Sequence, residues 1–159
     1  MINLTDTPIV KLKQYGMDDD GKFYSGVDIS CGNVYSPCYG AVIDEFKSDR
    51  TRYGVILQYS EHICLKFSHL KETHVHKGML VKLGDMIGIG DKFCKFEYLT
   101  TESSYPSVKS YILPGIVFYT HDPNIILEGN VIFDTTHTVD EGITLFGETL
   151  EELSNNRGD

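Results

Sequence analysis

Few side chains in this sequence stand at spacings that chemistry uses. Thr73-His-Val-His76 sets two imidazoles two residues apart, which on a strand turns both to one face and offers a cation two nitrogens. Catalytic zinc takes about three protein ligands, so the pair reads as two exposed polar residues beside a turn. His121-Asp122 spells a carboxylate–imidazole couple, yet adjacent strand residues point to opposite faces. His62 and His137 have no partner in the pattern and read as solvated. His69, in Phe67-Ser-His-Leu70, is a proton-transfer candidate, with a hydrogen-bonded structural histidine as the favoured reading. The cysteines Cys31, Cys38, Cys64 and Cys94 form no C-x-x-C pair. A thiolate zinc site is therefore not expected, and reduced core thiols are, although spacing alone leaves disulfides open. Arg157-Gly-Asp159 and the sequon Asn3-Leu-Thr5 are short enough to arise by chance.

The elements that position these groups read as strands. Short runs rich in Val, Ile, Tyr and Phe are punctuated by Gly, Pro, Asn and Asp, and helical periodicity is scarce. Strands are expected at residues 24–29, 33–35, 40–46, 53–59, 63–69, 79–81, 86–89, 93–99 and 116–119. Residues 17–21 read as an acidic turn, 102–110 as a loop, and Pro114-Gly115 as a tight turn. Beyond Glu128 the character changes. A strand at 131–134, a turn at 138–142, a short helix at 145–153 and a disordered end from 154 are expected there. The domain reading is one β domain over 1–127 and a docking extension, partly helical, over 128–159, since about thirty residues rarely hold a core unaided.

Composition bounds the class. The chain has 159 residues, 41 % hydrophobic and 23 % charged, the usage of an ordinary globular domain. Acidic residues outnumber basic ones 23 to 14, a formal charge of −9 with no basic stripe, which disfavours nucleic acid and anionic lipid as partners. Residues 1–13 lack a basic segment followed by an apolar run, and no apolar run is long enough to span a bilayer. Neither a secretory signal nor a transmembrane segment is expected.

An ordered series of motifs carries further information. Tyr24-Ser-Gly-Val-Asp-Ile-Ser30 comes first, then Val34-Tyr-Ser-Pro-Cys-Tyr-Gly-Ala-Val42, then Phe67-Ser-His-Leu70. Lys77-Gly-Met-Leu-Val-Lys-Leu-Gly-Asp-Met-Ile-Gly-Ile-Gly90 follows, with Phe93-Cys-Lys-Phe-Glu97 directly after it and Tyr119-Thr-His-Asp-Pro-Asn-Ile-Ile-Leu127 closing the series. Gly78 and Gly84 bracket a short strand and supply the positive φ of its turns, while Val81, Met86 and Ile87 fill the core. Gly88 and Gly90 are not a dinucleotide signature, because the third glycine and the helix are missing. The glycine segment resembles the strand-turn-strand of duplicated hybrid-motif and biotinyl/lipoyl folds. The whole series, Phe23 to Leu127, resembles the lysostaphin-type zinc endopeptidases. That family shows H-x-G-x-D, V-x-A-P-x-x-G-x-V, Y-x-H-L, G-x-x-V-x-x-G-x-x-I-G, H-x-H-F-E and a D-P segment.

The resemblance implies an all-β fold, an antiparallel sheet or sandwich of the duplicated hybrid-motif kind. It also implies a degenerate site. Tyr24 stands where the first zinc-ligating histidine belongs, and Asp28 matches the ligating aspartate. Lys95 replaces the third ligand, Phe93 replaces the histidine that polarises the attacking water, and His69 keeps the histidine of Y-x-H-L. An ammonium in a ligand position opposes a cation, and without bound metal nothing brings the pKa of a water near neutrality. No catalytic residue, metal or cofactor is expected. Instead the Lys95 ammonium is expected to pair with Asp28, with the Tyr24 hydroxyl donating nearby.

The expected function is that of a catalytically inactive, peptidase-like structural or binding module. A phage tail or baseplate component suits it, made in the host cytoplasm and carried to the wall by the virion. Its expected partners are other virion proteins and peptidoglycan, in a homo- or hetero-oligomer, with no nucleic acid and no membrane insertion. Three alternatives are an active wall hydrolase with a shifted site (Asp28, His69 and His74 or His76), a regulator of another wall hydrolase, and a carrier domain. Exposed tyrosines such as Tyr24, Tyr39 or Tyr98 are candidates for stacking on sugars.

Overall fold

In Arg52–Ser60 and Ile63–Thr73 apolar residues fill consecutive positions, so both faces of these strands must be covered. The computed structural model of the chain shows how. It describes residues 4–5, 9–30 and 32–128, together with the backbone of the pairs Thr144–Leu145 and Glu148–Thr149. Alternation sorts the side chains into two cores. Val42, Val55, Leu57, Leu65, Phe67, Cys94 and Phe96 enter the larger one. Their neighbours in sequence, Ala41, Ile43, Ile56, Cys64 and Leu99, join a smaller one with Leu113 and Phe118.

The strands in chain order are β1 (Lys11–Lys13), β2 (Gly16–Met17), β3 (Phe23–Tyr24), β4 (Val27–Ser30), β5 (Asn33–Tyr35), β6 (Gly40–Ser48) and β7 (Arg52–Ser60). They continue with β8 (Ile63–Thr73), β9 (Leu80–Val81), β10 (Met86–Thr100), β11 (Lys109–Leu113) and β12 (Ile116–His121), then one helical turn α1 (Asn124–Leu127). The main sheet runs β1-β4-β10-β8-β7-β6-β9, with β5 and β12 also on β10 and β11 on β12. Every pairing is antiparallel. The fold is therefore the all-β antiparallel kind that the sequence implies. Strand β10 is its spine, since β4, β5, β8 and β12 all bond to it. Helix α1 closes the larger core by burying Ile126 and Leu127 in it.

The differences from the sequence reading are local. Residues 86–89 and 93–99 are one strand, because Gly90 continues the ladder and donates its amide to the Gly32 carbonyl at 2.8 Å. Strands β1 and β2 were not expected. Each is two or three residues long, too short for alternation to declare itself. Residues 109–110 leave the expected loop to open β11, paired to Tyr119 and Phe118 of β12. Glycine 84 adopts φ 89° in the turn after β9, where the Asp85 side chain accepts the Lys82 amide at 2.8 Å, as the motif requires. Beyond Glu128, the described pairs Thr144–Leu145 and Glu148–Thr149 form an antiparallel hairpin, β13 and β14, where a helix from Leu145 was expected. The strand expected at 131–134, the turn at 138–142, His137 and the tail from 154 lie outside the described residues.

Candidate functional site

Strand register builds the site. Asp28 on β4 lies directly opposite Lys95 on β10 and, on its other side, opposite Lys13 on β1. Paired residues of an antiparallel ladder project to the same face, so one carboxylate sits between two lysines. Ser68 of β8 extends the row, opposite Lys95. Strand β4 reaches β10 this closely because residue 26 is glycine: a Cβ there would stand 2.7 Å from the Phe96 carbonyl oxygen and 2.8 Å from Cγ of Glu97.

Tyr24 caps the row. Its hydroxyl donates to Oδ1 of Asp28 at 2.5 Å, as expected of the phenol. Burial, then the Asp28 carboxylate as acceptor and as neighbouring charge, pushes the phenol far above its ordinary range, so it stays protonated. The Tyr24 ring carries the Lys13 ammonium 4.1 Å and the Lys95 ammonium 4.4 Å from its centroid.

Lys95 corrects one expectation. It forms no ion pair with Asp28 within 4.0 Å, although the two face each other across the ladder. Nζ instead donates to Oγ of Ser25 at 3.0 Å and lies 3.8 Å from Oε1 of Glu97. The reason is competition. Glu97 is only 5 % exposed and accepts the Ser25 hydroxyl at 2.6 Å, with Lys66 3.6 Å from its other oxygen. Asp28 is buried too, at 7 % exposed, but it already holds the Tyr24 phenol, which leaves the lysines to Glu97.

His69 belongs to the same neighbourhood. It sits at a bulge of β8 with φ 62°, its amide bonded to the Thr51 carbonyl and its ring 4.7 Å from that of Phe93. Burial lowers its pKa, with the Lys95 and Lys66 ammoniums acting the same way against Asp28 and Glu97. Tyr24, Asp28, His69, Phe93 and Lys95 thus gather where β4 and β8 flank the middle of β10.

His74 and His76 do not join them. Both lie beyond the end of β8 rather than on one strand face; His74 Nε2 is 3.2 Å from Glu72, and His76 Nδ1 is 3.0 Å from Glu45. Cys38, Cys64 and Cys94 are buried free thiols, and burial raises the Cys38 pKa to about 12, while Cys31 lies outside the described residues. Tyr39 and Tyr98 are largely or wholly covered rather than presented for stacking.

The donor set does not fit a catalytic zinc ion. It offers one carboxylate, already engaged by a phenol, and one imidazole, among ammonium and phenyl groups that add no ligand. Among the described residues, no group of three or more His, Cys, Asp or Glu side chains converges. Ser25, Glu97 and Lys13 are the participants that sequence reasoning missed. Ser25 and Glu97 lie inside the quoted motifs, whereas Lys13 is brought in only by the β1–β4 pairing.

The architecture defines a class: this is the fold of the lysostaphin-type M23 peptidase domains. The catalytic domain of the antimicrobial peptidase lysostaphin from Staphylococcus simulans superposes with a TM-score of 0.60 at 20 % identity, over 76 % of this chain and 93 % of that one. In a solution structure of lysostaphin the match covers 82 % of this chain but only 57 % of the other, at 18 % identity and TM-score 0.60. The catalytic domain of the prophage-encoded M23 protein EnpA from Enterococcus faecalis, in a point-mutant form, gives 0.58 at 17 % identity, over 74 % and 91 % of the two chains. A chain from a SpoIIIAH and SpoIIQ complex gives 0.60 at 15 % identity, over 79 % and 97 %. Identities this low establish the fold alone. No protein-family model matches the sequence, and no curated protein matches it.

Proposed function

We propose that the chain is a catalytically inactive M23-like module that serves as a structural or binding part of a phage tail or baseplate. The observation carrying this reading is the Tyr24 hydroxyl on the Asp28 carboxylate, with ammoniums on both sides of the same row. Peptide hydrolysis in this fold relies on a metal to acidify water and polarise the carbonyl. Here a phenol held protonated and a lysine stand at the ligand positions of the motifs, and neither withdraws charge from a water. His69 remains, but an imidazole stacked on a phenyl ring has no activated nucleophile to serve.

The virion setting is supported by a prophage-encoded neighbour of the same fold, and the binding role by a neighbour found in a two-protein complex. Among the described residues no helix is long and apolar enough to cross a membrane. The test is a peptidoglycan zymogram with the full chain at saturating zinc. No clearing is expected, and clearing that depends on Asp28 would make the chain an active wall hydrolase.

A further inference from the structure

A cavity of about 260 Å³ adjoins the Asp28 row and shares Lys13 and Tyr24 with it, walled by the β2–β3 hairpin and the end of β1. Its apolar surface comes from Tyr15, Met17, Phe23 and Tyr24, with the rings of Tyr15 and Phe23 meeting edge to face at 5.1 Å. The polar groups around it are not equally available. The Tyr15 hydroxyl is committed to the carbonyls of Pro106 and Thr120, and the Tyr24 hydroxyl to Asp28. The Gln14 oxygen accepts from Asn124, and Oδ1 of Asp18 accepts the amides of Asp20 and Lys22. The two ammoniums at the rim, Lys13 and Lys22, are both exposed and make no ion pair among the described residues. Two lysines against one aspartate give this cavity a positive lining in a chain of net charge −9.

We propose that this cavity binds a peptide end: a free carboxylate held by Lys13 and Lys22, with a small apolar side chain against Tyr15, Phe23 and Tyr24. Spare donors with few spare acceptors select an anion over a cation or a neutral polyol. Aromatic walls select an anion carried on an apolar body over a hydrated inorganic ion. The volume suits one or two small residues. The inference rests on the binding-module reading and assigns it a ligand class, and its test is separate from the zinc question because neither Lys13 nor Lys22 stands at a ligand position of the motifs.

The experiment is an NMR titration of the full chain, labelled with ¹⁵N, against three probes at matched ionic strength: N-acetyl-alanyl-alanine, its C-terminal amide, and inorganic phosphate. Saturable shifts confined to residues 13–24 are expected with the acid and not with the other two. The double variant Lys13→Gln, Lys22→Gln should weaken binding roughly tenfold, two charge-assisted contacts being lost. Lys82→Gln, an exposed lysine outside the cavity, should leave it unchanged. Both substitutions are at exposed positions, and the spectrum itself reports whether the variant is folded. Absence of saturation with the acid, equal shifts with amide or phosphate, or undiminished binding by the double variant overturns the proposal. Peptidoglycan clearing by the same protein would overturn its inactivity and leave this titration standing.

Discussion

At the scale of single residues, the site is organised by which carboxylate gets which partner. Asp28 takes the phenol of Tyr24, and Glu97 takes Ser25 and draws both Lys66 and Lys95. His69 is the titrating consequence. Its pKa is lowered from 6.5 chiefly by burial, so the folded state favours the neutral ring more than the unfolded chain does. The stability it contributes is complete above the unfolded value and is lost as pH falls toward the folded one. We therefore predict that urea midpoints fall on acidification below about pH 6.5, and fall less steeply for His69→Asn. Asparagine tolerates the φ of 62° at this bulge, so the comparison isolates titration from backbone strain. Parallel pH dependences for the two proteins would show that His69 titrates alike folded and unfolded.

At the scale of elements, the closeness of β4 to β10 sets the row of Lys13, Asp28 and Lys95. Gly26→Ala should destabilise by roughly 1–3 kcal/mol, the range for forcing atoms into a packed site, because the new methyl meets the Phe96 carbonyl, which is backbone. Urea unfolding measures this, and an unchanged midpoint would mean that β4 stands off the spine. Most of these elements were legible in the sequence. Val55 and Leu57 enter the larger core while Ile56 between them enters the smaller, as pleating demands, and Gly84 and Gly115 take the positive φ of expected turns. The misses share a cause. Strands β1 and β2 carry no period to read, and the break expected inside β10 was inferred from glycine, which sheet pairing overrode. Lys13 was invisible for the same reason, since pairing with Asp28 across fifteen positions leaves no mark on local sequence.

At the scale of the molecule, two cores on opposite faces of one antiparallel sheet make a scaffold that does not depend on its site chemistry. Such a scaffold can keep its shape whichever side chains stand at the site. The gathering of Tyr24, Asp28, His69, Phe93 and Lys95 was readable from motif order, through the resemblance that sets those positions at one site. What each of them bonds was not, because Lys95 turns to Ser25 and Glu97 while Asp28 holds the Tyr24 phenol, a competition that exists only in the folded chain. The account rests on the claim that no zinc ion settles at Asp28. Calorimetric zinc titration of the metal-stripped protein, run beside Asp28→Ala and the double variant Tyr24→His, Lys95→His, tests it most directly. We predict no stoichiometric binding by the natural sequence or by Asp28→Ala, and about one equivalent once both histidines join Asp28 to give three ligands. One equivalent bound tightly by the natural sequence and lost in Asp28→Ala would contradict it.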